Sequence, residues 1–459
     1  MNDQYDAIII GAGQAGPTLA SRLVAAGRRV AIVERKDLGG TCVNNGCIPT
    51  KTLVASARAA HVVRRAAAYG VSIDGQIAVD MQQVKARKDS VVRQSRDGLT
   101  TWLQSMDKLR VVRGHARFED AKTVIVNDER VCADQIFLNV GGRAAVAAMP
   151  GVDDVEFLTN SSMMDVDFLP EHLIIVGGSY IGLEFAQMYR RFGSRVTVVE
   201  RSDRLVKRED ADVSFAIQKI LESEGVQFRL EANCIALKRH GEKVAVDVIC
   251  EQGPPEVVGS HILLATGRKP NTADLGLESA GVDTDNRGYI TVDDQCRTSV
   301  PGVWAIGECN GRGAFTHTAY NDHEIVAGNL LDGEQRRVSD RIPCYGLFVD
   351  PPLGRVGLTL AEARAEGREL LVGEMPMSRV GRARERGETD GFMRVLVDAG
   401  SQRFVGASIL GIGGDEVVHG ILDLMYADAP YTVLQRAVHI HPTVSELLPT
   451  LLGNLKPAP

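Results

Sequence analysis

The sequence has no excess of basic residues, no apolar run of membrane length and no first residues typical of a signal peptide. It has no excess of basic residues, because 52 lysines and arginines face 59 acidic residues and the formal net charge is -7. Nothing therefore favours nucleic acid as a partner. It has no apolar run of the roughly 18 residues that a membrane helix needs, and its acidic first residues are unlike a signal peptide. We expect a cytoplasmic protein that contacts neither nucleic acid nor a membrane.

Clustered cysteines are also missing, with one exception. Six of the eight cysteines show no metal-ligand spacing, so we expect reduced core residues and no metal site at these positions: Cys132, Cys234, Cys250, Cys296, Cys309 and Cys344. The exception is the pair Cys42 and Cys47. In a regular helix, residues five apart lie roughly 8 to 9 Å apart on different faces, whereas a disulfide needs about 4.4 to 6.8 Å. A distortion at Gly46 and Pro49 would allow a reducible disulfide, which suits catalysis better than stapling.

What the sequence does contain is two copies of a glycine-rich turn between a buried strand and a helix. The first copy follows an apolar strand from Ala7 to Ile10, and a second strand that ends at Glu34 completes a βαβ unit. The same pattern returns between residues 173 and 200. In such turns one glycine makes the bend, the next lets the backbone approach a pyrophosphate, and the third lets the helix pack on the strand. Two dinucleotides are therefore predicted.

The second copy leaves the choice of coenzyme open. Ser179 replaces the middle glycine, so the backbone approaches the phosphates less closely. Glu200 stands where a carboxylate accepts both ribose hydroxyls, which favours a free 2′-hydroxyl and NADH. Basic residues just beyond it would instead suit the 2′-phosphate of NADPH: Arg201, Arg204, Lys207 and Arg208. The balance favours NADH.

At this length two or three domains are expected. The pattern predicts an α/β fold with two Rossmann-like dinucleotide-binding domains and a C-terminal α+β domain. The first domain is predicted to be discontinuous, with residues 1–150 and 262–338, and the second to be inserted at 151–261. The segment from Ile48 to about Met106 is predicted to be helical. Residues 339–459 form the third domain, whose apolar faces would suit self-association.

Near the C-terminus, His441 and Glu446 place a base and a carboxylate close together. The imidazole can shuttle a proton to a thiolate while Glu446 fixes its orientation. Thr443 and Glu446 also fit a capping box at the start of the last helix, in which case Glu446 serves only the structure.

Six motifs occur in one order and together resemble the class I pyridine nucleotide-disulfide oxidoreductases across nearly the whole chain. They are the two glycine-rich turns, the pattern Cys-x-x-x-x-Cys-x-x-x-Lys at 42–51, and the segments 265–271, 303–307 and 441–446. The resemblance implies FAD on the first domain, bound by Gly11, Gly13, Gly16, Glu34, Gly40, Thr41, Lys51, Gly141, Gly307 and Glu308. It implies NADH or NADPH on the second, bound by Gly177, Gly178, Ser179, Tyr180, Ile181, Gly182, Glu200, Arg201 and Gly267.

The resemblance also implies roles for individual side chains. Cys47 would face the flavin and Cys42 would attack the substrate, while Lys51 and Glu184 would form a pair at the flavin and Tyr180 an aromatic lid over the nicotinamide. His441 and Glu446 would reach the dithiol from the partner subunit, which makes the chain a homodimer. Glu308 stands where the family usually has an aspartate that holds the ribityl chain, so an extra methylene must be accommodated there.

Several members of the family fit the motifs. The segments 348–357 and 382–384 look closest to mercuric reductase-like proteins, but no cysteine pair follows Leu452, so reduction of mercuric ion is not favoured. We expect a small thiol-reactive oxidant or disulfide as substrate, with hypothiocyanous acid as an example. NAD-dependent dihydrolipoamide dehydrogenase is the main alternative, and glutathione reductase fits less well. A flavin- and NADH-binding sensor with little turnover is the alternative from another class.

Overall fold

The computed structural model describes residues 3–249 and 253–458. Cys250 and the side chain of Cys234 lie outside this description, so the expectation for them stays a prediction. Within the described ranges, no helix combines the length and the apolar character needed to cross a membrane. The fold is mixed α/β and contains five sheets in that part of the chain.

The first unit is built on a sheet with the strand order β3-β2-β1-β6-β5-β4. Its central strand β1 pairs in parallel with β2 and β6 and is buried from Ala7 to Ile10, as an apolar run covered on both faces requires. The elements are β1 (Asp3–Ile10), α1 (Ala15–Ala25), β2 (Val30–Glu34), α2 (Gly40–Asn44), α3 (Cys47–Arg64), α4 (Met81–Gln104), β3 (Leu109–Arg113), β4 (Ala116–Asp120), β5 (Thr123–Val126), β6 (Glu129–Leu138) and β7 (Gly142–Ala144).

The helical stretch expected from Ile48 to about Met106 is divided in two. Gly70 and Gly75, which lie between α3 and α4, have φ values of +76° and +95°, a conformation that ends a helix. The side chain of Asp80 then accepts hydrogen bonds from two backbone N–H groups and caps the start of α4.

The second unit has a parallel sheet with the order β10-β9-β8-β14 and a three-stranded antiparallel sheet, β11-β12-β13. Its elements are β8 (His172–Val176), α5 (Tyr180–Phe192), β9 (Arg195–Val199), α6 (Ala211–Ser223), β10 (Gln227–Arg229), β11 (Asn233–His240), β12 (Lys243–Ile249), β13 (Glu256–Gly259) and β14 (His261–Leu264).

One predicted boundary needs correction. Residues 262–264 were expected to return to the first domain, but β14 pairs in parallel with β8 over four residues and completes the second sheet. Its apolar residues extend the core of that sheet, and Ile262 and Leu264 are buried with Val176 and Val199. The chain rejoins the first sheet only at β16 (Val303–Ala305), which pairs with β6. The rest of the predicted division into domains stays a proposal.

The return segment contains β15 (Arg268–Pro270), α7 (Leu277–Ala280), β16 (Val303–Ala305) and α8 (Thr316–Leu331). The third unit is an antiparallel sheet of order β17-β18-β21-β20-β19-β22 with short helices. Its elements are β17 (Cys344–Leu347), β18 (Leu353–Gly357), α9 (Leu360–Ala365), β19 (Leu370–Pro376), α10 (Gly381–Glu385), β20 (Phe392–Asp398), β21 (Phe404–Leu410), α11 (Gly414–Val417), α12 (His419–Tyr426), α13 (Thr432–Gln435), α14 (Leu448–Leu452) and β22 (Lys456–Pro457).

Candidate active site

Cys42 and Cys47 lie on either side of a break between two helices. Cys42 is in α2, Cys47 begins α3, and Gly46 between them has φ −130° and ψ −116°, far from helical values. A Cβ at position 46 would lie 2.8 Å from the carbonyl oxygen of Thr41, so only glycine lets the two helices meet this closely. The distortion expected at Gly46 is therefore present, whereas Pro49 fits undistorted in the first turn of α3.

The surroundings of the two thiols favour a thiolate on Cys47. The hydrogen bond from the Cys42 thiol lowers the pKa of Cys47, and so do Thr316, whose hydroxyl lies 3.2 Å from Cys47 Sγ, and the Lys51 ammonium. Burial acts in the opposite direction, and the net pKa falls from 9.0 to about 6. The same thiol-thiol hydrogen bond and burial raise the pKa of Cys42. At neutral pH the reduced pair therefore holds its negative charge on Cys47 and its proton on Cys42.

Thr316 provides a test of this assignment. Thr316→Val keeps the side-chain shape but removes the hydroxyl, and the loss of one hydrogen bond to a charged sulfur should raise the pKa of Cys47 by about one unit. The pH dependence of Cys47 alkylation in the reduced protein measures this pKa. Thr316→Ser, which retains the hydroxyl, should behave like the parent protein. An unchanged midpoint for the valine variant would show that Thr316 does not stabilise the thiolate.

Lys51 and Glu184 form the ion pair that the resemblance implied. Lys51 Nζ lies 2.8 and 3.1 Å from the two carboxylate oxygens of Glu184, which joins α3 to α5. Glu184 also accepts a hydrogen bond from the backbone N–H of Phe348, and the Lys51 ammonium lies 4.4 Å from the centre of the Phe348 ring. These contacts hold a positive charge on the helix that begins with Cys47 and close to its sulfur.

A cavity of about 870 Å³ contains both cysteines and most of the residues expected to bind FAD. This volume is near the upper end of the range for small-molecule sites. Its lining includes Gly11, Gly13, Glu34, Gly40, Thr41, Lys51, Gly141, Gly307 and Glu308, whereas Gly16 lies behind the turn. A Cβ at Gly16 would collide with the carbonyl of Gly11, which matches the helix-packing role expected of the third glycine.

The space beside two glycines of this cavity indicates that a ligand, and not another part of the protein, lies against their backbone. A Cβ at Gly13 would meet no protein atom closer than 3.5 Å, and one at Gly141 would meet none within 4 Å. Both residues line the cavity, so the missing side chains leave space for a group that approaches the backbone closely. The side chain of Asn139 holds the turn by donating to the carbonyls of Gly11 and Gly13 at 3.0 and 3.2 Å. These residues fit a bound dinucleotide.

The carboxylates that end the two βαβ units have matching hydrogen bonds. Glu34 accepts from the backbone N–H groups of Ala12 and Lys36 at 2.9 and 2.8 Å. Glu200 accepts from those of Gly178 and Ser202 at 2.6 and 2.8 Å. Each glutamate therefore fixes its own glycine-rich turn, a structural role that the sequence pattern did not reveal.

The second glycine-rich turn has the geometry of the first. Gly177 has φ +120°, and a Cβ at Gly182 would collide with the carbonyl of Gly177. Ser179 precedes α5 with an extended backbone, and Gly267 has φ +121° with open space at its Cβ position. Tyr180 and Ile181 at the start of α5 reach the large cavity, but the other residues predicted for NADH or NADPH are not part of its described lining: Gly177, Gly178, Ser179, Gly182, Glu200, Arg201 and Gly267.

Glu308, which departs from the usual family residue, is held by a residue that sequence reasoning overlooked. Arg268 binds it with two hydrogen bonds, of 2.5 Å from Nε and 2.7 Å from Nη2, and the pair is largely buried. Such paired contacts fix the orientation of a carboxylate. The extra methylene of glutamate is thus accommodated by an ion pair within the cavity wall. The signal was available, because Arg268 lies in the motif at 265–271.

His441 and Glu446 form a hydrogen-bonded pair. The imidazole Nδ1 lies 2.8 Å from Glu446 Oε2, while Thr443 Oγ1 accepts from the Glu446 backbone N–H at 3.3 Å. The carboxylate therefore contacts the histidine, and only half of the expected capping box is made. The His441 side chain is 82% exposed, and neither residue belongs to the described lining of the cavity that holds Cys42 and Cys47.

The other described cysteines differ in burial. Cys296 and Cys309 are buried and reduced, as expected, and burial raises the pKa of both thiols. Cys132 and Cys344 are reduced but only half-buried, so they are not core residues. Cys344 lines the large cavity because its short strand β17 lies at the edge of the third sheet.

Comparisons with known proteins identify the class of the chain. Residues 5–322 match the pyridine nucleotide-disulphide oxidoreductase family, and residues 344–452 match the dimerisation domain of that family. The chain belongs to this family, and it is an FAD-dependent pyridine nucleotide-disulfide oxidoreductase of class I. The dimerisation domain supports a homodimer.

Individual relatives cover nearly the full length of the chain. A probable pyridine nucleotide-disulfide oxidoreductase, RclA, of Escherichia coli is 35% identical over 99% of this chain and 100% of the relative. A mercuric reductase of Streptomyces lividans is 34% identical over 97% and 94%. A dihydrolipoyl dehydrogenase of Chlamydia muridarum is 30% identical over 97% and 96%. The solved structure of a Cu(II) complex of the HOCl-induced flavoprotein disulfide reductase RclA from E. coli matches with a TM-score of 0.90 at 34% identity, over 99% of both chains.

The family uses FAD and a pyridine nucleotide. Gly11, Gly13 and Glu34 of the cavity would help to hold FAD, which when bound would supply two-electron redox chemistry between the reduced nucleotide and a disulfide. The chain supplies a cavity that brings the first glycine-rich turn, Lys51 and Cys47 together, and it places the thiolate of the reduced dithiol at the cavity surface.

Proposed function

We propose that this chain is an NADH-dependent cytoplasmic reductase that uses Cys42 and Cys47 to reduce a small thiol-reactive oxidant or disulfide. The observation that carries the proposal is the difference in protonation between the two sulfurs. Cys47 is stabilised as a thiolate by Cys42, Thr316 and Lys51, while Cys42 keeps its proton until a base removes it. Such a pair can hold two electrons and release them to an incoming electrophile.

For hypothiocyanous acid the chemistry balances as follows. The Cys42 thiolate attacks the sulfur of the oxidant and forms a sulfenyl thiocyanate, and hydroxide leaves and takes up a proton to give water. The Cys47 thiolate then attacks Cys42 Sγ, the Cys42–Cys47 disulfide forms and thiocyanate leaves. NADH supplies the two electrons that restore the dithiol. The similarity to a reductase described as HOCl-induced supports an oxidant of this size.

Cys42 needs a base, because its pKa is raised. We propose that His441, oriented by Glu446, removes this proton in the partner subunit. The support is the exposed position of His441 and its hydrogen bond to Glu446, together with the dimerisation domain. A carboxylate that accepts from one imidazole nitrogen leaves the other nitrogen oriented to exchange a proton.

Glu200 supports the proposed preference for NADH over NADPH. Its carboxylate is held by Gly178 and Ser202 at the turn, where a negative charge opposes a 2′-phosphate. Arg201, Lys207 and Arg208 are exposed, and Arg204 donates to the carbonyl of Lys207 at 3.3 Å. The support for NADH is therefore the carboxylate of Glu200 and not the arrangement of these basic residues.

A panel of acceptors tests the proposed function. With NADH as the coenzyme, turnover of hypothiocyanous acid is expected to exceed that of oxidised glutathione and mercuric ion. Turnover of hypothiocyanous acid is also expected to be faster with NADH than with NADPH. The kcat/KM values for each acceptor and coenzyme are the measurement. Rapid oxidation of dihydrolipoamide by NAD, with no activity on oxidants, would contradict the proposal. It would favour dihydrolipoamide dehydrogenase, the activity named for relatives such as that of C. muridarum.

A further inference from the structure

The segment that carries His441 stands out from the body of the protein. Val438 is fully exposed and Ile440 is 80% exposed. Most hydrogen bonds of this segment are local: Thr443 Oγ1 donates to the Ile440 carbonyl at 2.8 Å, and the Glu446 backbone N–H donates back to Thr443 at 3.3 Å. Local bonds of this kind shape the segment but do not fix where it lies relative to the rest of the fold.

Val444 is buried in the core of the third unit and holds the far end of the segment, and one hydrogen bond from another helix reaches the residue next to His441. Arg382 in α10 donates a hydrogen bond of 2.5 Å from Nη2 to the carbonyl oxygen of Pro442, across 60 positions of the sequence. Arg382 also forms an ion pair with Glu385, whose carboxylate lies 3.3 Å from its Nε. The preceding Gly381 packs near Glu446, since its Cβ position lies 3.9 Å from Glu446 Oε1. Helix α10 thus contacts the segment beside both members of the His441–Glu446 pair.

We propose that Arg382 is a positioning residue that holds His441 in place through the carbonyl of Pro442. The inference rests on the proposed function, in which His441 serves the dithiol of the partner subunit. It adds that the pair is presented by an arginine outside the His-Glu motif. A charge-assisted hydrogen bond is stronger and shorter than a neutral one, and the residue that it holds is the direct neighbour of His441.

The contact between Arg382 and Pro442 affects how closely His441 can approach the proton that it removes. A base must come within about 2.6 to 3.2 Å of the proton that it removes, and a misplacement of about 1 Å can cost roughly 100-fold in rate. Without Arg382, the segment keeps its local bonds and the buried Val444, but it loses the hydrogen bond from α10 at the residue next to His441. The steps that use His441 should then slow, while hydride transfer from NADH to the flavin, which precedes protonation of Cys42, does not use this segment and should not change.

The experiment uses the dimeric, FAD-loaded protein. Its variants are Arg382→Met, Arg382→Lys, His441→Gln and the matched control Arg384→Met, which alters the exposed arginine two positions along the same helix. The first readout is the rate at which iodoacetamide alkylates Cys42 in the reduced protein, followed by peptide mass spectrometry. The second is the rate at which reduced protein is reoxidised by hypothiocyanous acid, and the third is the rate of flavin reduction by NADH.

Arg382→Met should slow both alkylation of Cys42 and reoxidation by about 10-fold or more, with flavin reduction by NADH unchanged. Arg382→Lys, which retains a charged donor, should recover much of the loss, and Arg384→Met should match the parent protein. If Arg382→Met does not give a dimer, Arg382→Gln takes its place with the same expected slowing.

The outcomes separate the two claims. If His441→Gln slows both reactions and Arg382→Met slows neither, the inference about Arg382 is wrong and the proposed role of His441 stands. Equal slowing by Arg382→Met and Arg384→Met would also overturn it, because the effect would then follow from lost charge on α10. If His441→Gln changes neither rate, the proposed role of His441 fails and the inference fails with it.

Discussion

Replacement of Cys47 by serine is expected to lower acceptor reduction by about 1,000-fold or more while FAD and NADH still bind. Serine cannot form the disulfide, and its hydroxyl does not ionise at neutral pH, so the negative charge that Thr316 and Lys51 stabilise is lost. The long-wavelength absorption of a thiolate beside the flavin should be absent from the reduced variant. Stopped-flow spectra and steady-state rates measure the two effects.

Cys42→Ser is the matched variant. It also lacks the disulfide, but a serine hydroxyl can still donate to the Cys47 thiolate, so the long-wavelength absorption should persist. In the reduced parent protein it should be present at pH 7 and fade as the pH falls through about 6, the pKa of Cys47. Cys42→Ala removes the side chain that donates to the Cys47 thiolate, so the long-wavelength absorption of this variant should fade at a higher pH. If Cys42→Ser loses the absorption and Cys47→Ser keeps it, the roles of the two sulfurs are reversed.

The second large effect is expected at a buried charge cluster that joins the second and third units. Arg191 in α5 is 5% exposed and contacts Glu224 at 2.6 Å and Asp350 at 2.5 Å. Arg191→Leu leaves the carboxylates of Glu224 and Asp350, which are only 14% and 13% exposed, without this partner, and this should destabilise the fold by about 3 to 5 kcal/mol. Urea unfolding of the dimer measures the loss. Arg195→Leu, which breaks the exposed pair with Glu171, should leave the free energy of unfolding nearly unchanged.

The defect of Arg191→Leu should depend on pH in a defined direction. Burial alone would raise the pKa of the Asp350 carboxyl, but Arg191 and Arg58 lower it below its usual value of 3.8. A carboxyl with a lowered pKa stabilises the folded state above its unfolded pKa, and this contribution is lost as the pH falls through the folded pKa. The gap between parent and variant should therefore be widest near neutral pH and shrink in acid. A gap independent of pH would exclude the charge explanation.

The parts of the site that could be predicted from sequence are those whose chemistry is local. The two glycine-rich turns, the glutamates that end their second strands, and the break at Gly46 all depend on residues close in the chain. Lys51 and Glu184 were paired only through the resemblance, and their contact spans 133 positions. The local pattern gave a wrong domain boundary at 261–264, because the sequence of this strand fits either sheet equally well.

What could not be predicted are side chains whose partners arrive through the fold. Thr316 lies 269 positions from Cys47, and nothing in its own neighbourhood marks it as a thiol partner. Arg268 and Arg382 belong to short motifs, but their targets, Glu308 and the Pro442 carbonyl, are fixed only when sheets and helices pack. The hydrogen bonds of Glu34 and Glu200 to their own turns likewise depend on the register of neighbouring elements.

The most direct test of the central claim is an anaerobic titration of the yellow protein with NADH, repeated with NADPH. If electrons rest on the Cys42–Cys47 pair, the first equivalent of NADH per subunit should produce the long-wavelength absorption with little loss of the main flavin absorbance. NADPH should act more weakly. If the first equivalent instead bleaches the flavin and no long-wavelength absorption appears at pH 7, the two cysteines do not accept the electrons and the account is wrong.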